Sequence, residues 1–221
     1  MSNVSEKKHE HKGMSSRNML DARKILKNIG LKSGDQFLDA GCGDGYFSIA
    51  AAEIVGLGGR VYAFDVDGDG IGRLQKEIAE KKLANIEARI ADVSRLLPLA
   101  DESVDVVFIS NVLHGLVANG EWERALKEVA RVIKPHGKLA IVEFKKNGTP
   151  MGPPLSIRLS PEEAEALAKG YCFSKVAVKE AGSYHYSIIL GKMVKFISDR
   201  IFPRSRSLSL CRLVLLPEPW V

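Results

Sequence analysis

The sequence contains few cysteines and no long uninterrupted apolar segment. Its three cysteines, Cys42, Cys172 and Cys211, are far apart and show no CxxC spacing, so we predict neither a disulfide framework nor a metal site. A membrane-spanning helix needs about 18 or more consecutive apolar residues, and the sequence offers no such stretch. Residues 1–13 carry both charge signs without an apolar run, unlike a signal peptide. These absences predict a soluble cytoplasmic protein.

The chain also lacks a strongly basic body. Its net charge is +5 at pH 7, but residues 192–221 alone contain six basic and only two acidic residues. The remainder is therefore nearly neutral, which is not the electrostatic pattern expected of a protein that binds phosphate backbones. We expect no nucleic-acid partner for this body. Residues 193–221 form a basic and apolar tail. Three interpretations of this tail remain open: it is poorly ordered, it binds a membrane surface, or it binds a partner.

Apolar positions alternate between strand-like and helix-like periods along most of the chain. A succession of strand and helix units predicts a parallel sheet with helices on both faces. A final hairpin turns it into a mixed seven-stranded sheet. The predicted strands are 35–39, 60–64, 85–91, 104–110, 138–144, 173–179 and 184–190, and the predicted helices are 44–55, 69–83, 121–133 and 161–169.

One domain is predicted over residues 31–192. Residues 1–30 precede it, with an expected disordered start and an amphipathic helix or two over residues 14–30. We expect these helices to cover the ligand cleft as a lid. A monomer or a homodimer is expected.

Three glycines lie in the segment GCGDG, residues 41–45, between the first strand and the first helix. Ligands bind at this edge of an open α/β sheet. A triphosphate loop would end in Gly-Lys-Ser/Thr, and a dinucleotide loop would carry a later third glycine where Tyr46 stands here. Asp44 at the helix start repels phosphate and suits a cation. The loop therefore predicts a nucleoside with a positively charged end, such as S-adenosylmethionine (SAM).

Two more acids follow the next two strands. Asp65 closes the second strand, in position to accept hydrogen bonds from both ribose hydroxyls. Asp92 follows the third strand, in position to accept from an adenine amino group. The adjacent residues Val66 and Val93 complete this part of the predicted cofactor site.

These motifs resemble those of the class I SAM-dependent methyltransferases over about residues 30–192. The matching segments are DAGCGDG at 39–45, Asp65, Asp92, PLADESVD at 98–105 and RVIKPHGK at 131–138. The resemblance implies a Rossmann-like fold with strand order 3-2-1-4-5-7-6, and S-adenosylhomocysteine as the product. It also implies residue roles: Asp39 and Asp44 near the methionine amine, Gly41, Gly43 and Gly45 as the backbone cradle, Asp65 on ribose, Asp92 on adenine, and the carbonyl of Asn111 on the amine.

The methyl acceptor is marked less clearly than the cofactor. The segment SNVLH at 110–114 differs from the Asn/Asp-Pro-Pro-Tyr/Phe segment of enzymes that methylate amino groups of adenine or glutamine. The cysteines match neither cytosine C5 enzymes nor arsenite methyltransferases, whereas PLADESVDVVFIS looks like quinone-ring C-methyltransferases. We expect a small-molecule acceptor. The alternatives are lysine or arginine of a protein, or a non-catalytic SAM-binding subunit.

Six residues are candidates for the acceptor side. His114 is the predicted general base, and Glu143 at the end of the fifth strand is expected to face the acceptor together with Lys145. Arg158 is expected to hold a carboxylate or phosphate of the acceptor, and Tyr184 and Tyr186 to line one face beside it. Each has a structural alternative: a histidine on the cleft floor, a solvated strand end, or tyrosines packed in the core.

Overall fold

The computed structural model of the chain describes residues 16–149 and 151–193. Its seven strands form one sheet in the order β3-β2-β1-β4-β5-β7-β6, which confirms the expected order. β7 is antiparallel to β5 and β6, and the other neighbours are parallel. The strands are β1 (Gln36–Ala40), β2 (Arg60–Asp65), β3 (Ile86–Ile90), β4 (Val104–Ser110), β5 (Ile133–Phe144), β6 (Phe173–Glu180) and β7 (His185–Lys192).

Helices cover both faces of the sheet, as expected. The six helices of the described residues are α1 (Ala22–Asn28), α2 (Tyr46–Val55), α3 (Gly68–Glu80), α4 (Leu113–Ala118), α5 (Trp122–Val132) and α6 (Pro161–Lys169). Side chains of α1, α2 and α3 join one apolar cluster against the sheet, and those of α4, α5 and α6 join a second on the opposite face. β4 and β5 are therefore buried from both sides, which explains their nearly continuous apolar sequences.

Local sequence signals account for the element ends. Ser160 caps α6 in a reciprocal capping box with Glu163, and Pro161 fills the first helical position, as predicted. β5 begins at Ile133 rather than at residue 138, because Ile133 already pairs with Val104 before a register shift. The six-residue helix α4 was not predicted, since so short a segment shows too little periodicity to be recognised.

The two cysteines in the described residues, Cys42 and Cys172, differ in their chemical state. Cys172 is disulfide-bonded, which corrects the expectation of unpaired cysteines for this residue. Cys42 is a free thiol, and burial raises its pKa well above the usual range.

No helix within 16–149 and 151–193 is long and apolar enough to cross a membrane. The predicted tail, apart from residue 193, and the first 15 residues lie outside the described part of the chain.

Candidate active site

The glycine-rich loop leaves β1 in a conformation that favours glycine. Gly41, Gly43 and Gly45 have φ values of +84°, +55° and +76°. A Cβ at Gly41 would lie 2.4 Å from Val112 Cγ2, and one at Gly45 would lie 2.3 Å from Leu74 Cδ1. At Gly43 a Cβ would meet no atom within 4 Å. Packing therefore requires two of the glycines, and the third leaves bare backbone facing open space.

Asp65 anchors this loop from the end of β2. Its Oδ2 accepts a hydrogen bond from the Gly43 amide at 2.7 Å, and its Oδ1 accepts one from the Asp67 amide at 2.8 Å. A carboxylate has about four acceptor positions, so capacity remains for ribose hydroxyls. The ribose role stays a prediction, and the structure adds that Asp65 holds the loop in place.

Asp39 is a buried carboxyl beneath the loop. Its side chain is 1% exposed, and its Oδ2 accepts a hydrogen bond from Ser48 Oγ at 2.6 Å. Burial raises the pKa of Asp39 to about 7, and the nearby carboxylates of Asp65 and Asp44 act in the same direction. A cation bound at the loop would favour the charged form of this group. The site thus suits a positively charged ligand.

The stability of the protein is expected to depend on pH through Asp39. Its pKa lies at about 7 in the folded protein, against an ordinary value of 3.8 for an aspartate. Between these values the folded state holds a proton that the unfolded state has released, so the free energy of unfolding falls as pH rises, by at most about 1.4 kcal/mol per pH unit. Urea unfolding across this range should show a steeper fall for the wild type than for Asp39→Asn. Parallel curves would show that Asp39 is ionised throughout.

Asp44 contacts the segment that precedes α1. Its Oδ2 pairs with Arg17 Nε at 2.9 Å, and Arg17 also reaches Glu77 at 3.2 Å. Tyr46 Oη donates to the carbonyl of Leu20 at 2.7 Å. Residues 16–20 therefore lie against the glycine loop, as a lid would. The contact of Asp44 with a cofactor amine stays a prediction, because its carboxylate already pairs with a cation of this chain.

The predicted adenine side is less tightly built. The Asp92 carboxylate accepts from the Ser94 amide at 2.8 Å and lies 3.4 Å from Arg95 Nε. Val66 is an exposed apolar side chain, available to contact a base. The side chain of Val93 packs in the apolar cluster of α4, α5 and α6, so at this position only the backbone can face a ligand.

The end of β4 carries polar atoms without partners. Asn111 has a φ of +57°, a left-handed conformation that asparagine tolerates. Its Oδ1 and the Oγ of Ser110 are buried and have no hydrogen-bond partner in the described structure. Buried polar atoms rarely remain unpaired. Together with the open backbone at Gly43 and the nearby carboxylates, the Oδ1 of Asn111 fits a ligand that carries an ammonium group and hydroxyls, as SAM does.

His114 and Glu143 contact each other. Nδ1 of His114 lies 2.7 Å from Glu143 Oε2, and the His114 amide donates to Oε1 at 3.1 Å. The side chain of Glu143 is 1% exposed and that of His114 is 13% exposed. A carboxylate can only accept, so Nδ1 carries the hydrogen, and in the neutral imidazole Nε2 then has a free lone pair. Both oxygens of Glu143 contact His114, and the expectation that Glu143 faces the acceptor stays a prediction.

A cavity of about 290 Å³ opens beside this pair. His114 lines it together with residues of α4 and of the segment 156–159. Lys146 and Glu163, which also line it, form an ion pair at 2.6 Å. The walls are otherwise largely apolar, through Val117 and Ile157. The imidazole of His114 is thus a polar group in a space of small-ligand size.

Arg158 and Tyr186 are buried and make hydrogen bonds within the chain, and their expected contacts with the acceptor stay predictions. Tyr186 is 4% exposed, and its hydroxyl donates to the carbonyl of Leu159 at 2.9 Å. Arg158 is also 4% exposed, and its guanidinium holds the loop that follows β5. Tyr184 precedes β7 and stays a candidate. The acceptors for Arg158 are the carbonyls of Lys145, Asn147, Thr149, Met151 and Pro153 and the hydroxyl of Thr149.

His185 was not among the predicted site residues. It is fully buried at the start of β7, and neither ring nitrogen has a hydrogen-bond partner among residues 16–149 and 151–193. Burial lowers its pKa to about 4, and the cations of Arg158 and Lys145 act in the same direction. Strand alternation placed His185 on the face opposite Tyr186. No local sequence pattern, however, predicts that its imidazole is buried without hydrogen-bond partners in the described residues.

Comparisons with known proteins indicate the family of the chain. A family model described as a methyltransferase domain matches residues 31–183. A demethylmenaquinone methyltransferase of Lactobacillus johnsonii is 34% identical over 130 residues, covering 58% of this chain and 52% of the relative. An arsenite methyltransferase of Halobacterium salinarum is 36% identical over 170 residues, covering 75% of this chain and 42% of the relative. The chain therefore spans about half the length of these curated relatives.

A solved structure is also similar along most of its length. It is a SAM-dependent methyltransferase from Aquifex aeolicus, with a TM-score of 0.73 and 29% sequence identity. The match covers 81% of this chain and 94% of that protein. The similarity thus extends over nearly the whole of the solved domain.

Proposed function

Because this chain belongs to the methyltransferase-domain family, we propose that it transfers a methyl group from SAM to a small-molecule acceptor. The observation that carries this proposal is the pair of His114 and Glu143, which lies at the same sheet edge as the glycine loop and beside a cavity. Both curated relatives are named for methyl transfer to a small molecule, demethylmenaquinone in one case and arsenite in the other.

The residues of the loop and the strand ends would hold the cofactor. The bare backbone of Gly43 would let it approach closely, and the carboxyls of Asp39 and Asp65 would bind its amine region and its ribose. Asn111 would contribute its carbonyl and its unpaired Oδ1. When bound, SAM supplies a methyl group activated by a sulfonium. The chain contributes alignment of the acceptor with that methyl, a large share of catalysis in such displacements.

His114 is the group that removes a proton from the acceptor. Its Nε2 takes the proton from a hydroxyl or another acidic group, while Glu143 holds the imidazole in the required tautomer. The buried carboxylate also stabilises the imidazolium that forms. Glu143 is therefore a positioning residue, because it acts through His114.

The acceptor class that fits best is an aromatic molecule with hydroxyl groups, such as a quinol. A cavity of about 290 Å³ beside His114 suits a small ring. Arsenite would require accessible thiols, but of the two cysteines in the described residues Cys42 is buried and Cys172 is disulfide-bonded. We further propose that the protein acts in the cytoplasm as a monomer or homodimer. Because the net charge outside residues 192–221 is nearly neutral, we propose no nucleic-acid partner.

A transfer assay with purified protein tests this proposal. Incubation with SAM and 1,4-naphthoquinol under reducing conditions should give a product with one added methyl group and an equal amount of S-adenosylhomocysteine. Mass spectrometry measures both products. Tight SAM binding by calorimetry without any conversion would favour a non-catalytic binding subunit instead.

A further inference from the structure

The buried polar side-chain atoms that lack partners in the described residues all lie at one edge of the sheet. They are Ser110 Oγ, Asn111 Oδ1 and both ring nitrogens of His185. Ser110 ends β4, Asn111 follows it, and His185 begins β7. β5 lies between these two strands. Their grouping at a ligand-binding edge indicates a missing hydrogen-bond partner rather than scattered packing defects.

The strand register places Ser110 and His185 on the same face. Ser110 pairs with Val142 of β5, and His185 pairs with Phe144 of β5. Val142 and Phe144 are two residues apart and therefore point to the same side, as do paired residues on neighbouring strands. Val142 belongs to the apolar cluster of α1, α2 and α3. Ser110 and His185 thus flank the end of β5 on this face.

Glu143 lies between Val142 and Phe144 and points to the opposite face, where it binds His114. The end of β5 consequently has a histidine on each side. His114 is held by a carboxylate on one side, and His185 is unpaired on the other.

The surroundings of His185 define the chemistry that it offers. Its ring centroid is 3.9 Å from that of Phe144, and the guanidinium of Arg158 lies 5.5 Å from the Phe144 ring centroid. Because burial and the cations of Arg158 and Lys145 lower its pKa to about 4, the imidazole is neutral near pH 7. A neutral imidazole has one donor and one acceptor. It suits a hydroxyl or carbonyl oxygen, and Phe144 gives an aromatic wall.

We propose that His185, assisted by Ser110, recognises an uncharged hydroxyl or carbonyl oxygen on an aromatic ring of the methyl acceptor. The inference rests on the proposed function and deepens it, since it names a specificity-determining residue for the same reaction. His185 donates its N–H to the ligand oxygen, and its other nitrogen accepts from a hydroxyl. His114 on the opposite face remains the base.

Binding of 1,4-naphthoquinone to the full chain tests the proposal without requiring catalysis. Calorimetry is carried out on the wild type, His185→Leu and His185→Asn, with His136→Gln as a control at an exposed histidine. Naphthalene, which lacks the oxygens, is the matched ligand control. We expect His185→Leu to weaken the quinone at least about tenfold, as for a lost buried hydrogen bond, and His185→Asn to retain part of the affinity. Naphthalene should bind the wild type and His185→Leu equally.

Thermal unfolding separates recognition from a structural role. Leucine removes two unpaired polar atoms, so His185→Leu should keep or raise the melting temperature and keep its affinity for S-adenosylhomocysteine. A lower melting temperature with unchanged quinone affinity, or no quinone binding by the wild type, would overturn the proposal. Quinone binding through His185 without methylation would leave it standing and remove the proposed function. Methylation that is insensitive to His185→Leu would overturn this proposal and leave the proposed function standing.

Discussion

Replacing His114 by asparagine is expected to lower kcat by about 10²- to 10⁴-fold, the usual contribution of a general base. The asparagine amide is uncharged and cannot take up the acceptor proton. The affinity for SAM should stay within about twofold of the wild-type value, because His114 faces the acceptor cavity rather than the glycine loop. Steady-state transfer from labelled SAM measures kcat, and calorimetry measures the cofactor affinity.

Two further variants make this result specific. Glu143→Gln keeps the size of the side chain but weakens control of the His114 tautomer, so kcat should fall and its dependence on pH should shift. His136→Asn changes an exposed histidine on the surface and should have no effect. Full activity of His114→Asn would mean that the acceptor needs no base and that alignment alone supports transfer.

Replacing Asp65 by alanine is expected to weaken SAM binding by about 100-fold or more. The variant loses acceptors for the ribose hydroxyls, and it also releases the Gly43 amide, which Asp65 Oδ2 holds at 2.7 Å. Losing two charge-assisted hydrogen bonds to the ligand corresponds to about 3 kcal/mol or more of binding energy. Calorimetric titration with SAM and with S-adenosylhomocysteine gives the dissociation constants.

A neighbouring aspartate provides the control. Asp67 is the N-cap of α3 and accepts a hydrogen bond from the Asp69 amide, so Asp67→Asn changes a carboxylate two residues away without touching the loop. This control should bind SAM as the wild type does. Circular dichroism should show that Asp65→Ala keeps its fold, because the residue is only partly buried at the end of β2. An unchanged dissociation constant for Asp65→Ala would remove the ribose assignment.

The sheet and the cofactor loop were predictable because their signals are local. The apolar runs of β1 and β4, the three glycines after β1 and the capping box of Ser160 each lie within a few neighbouring residues. Such patterns report directly on backbone conformation and on burial. The strand order instead followed from the family resemblance, and the observed sheet confirms it.

The contacts on the acceptor side depend on residues far apart in the chain. His114 and Glu143 are 29 positions apart, and their pairing requires the short helix α4, which the sequence did not reveal. Arg158 resembled an anion-binding residue, but carbonyls of the loop that follows β5 satisfy its guanidinium. The burial of His185 depends on Phe144 of another strand. Local sequence patterns cannot predict which hydrogen bonds a polar group makes with residues that are distant in the sequence.

The central claim is that this chain methylates a small molecule, and labelled SAM tests it most directly. Purified protein is incubated with methyl-labelled SAM and a cell extract that contains both metabolites and proteins, and the two fractions are then separated. We predict that label enters the small-molecule fraction in proportion to enzyme and is lost with His114→Asn. Label in the protein fraction, or no transfer into either fraction, would contradict the account.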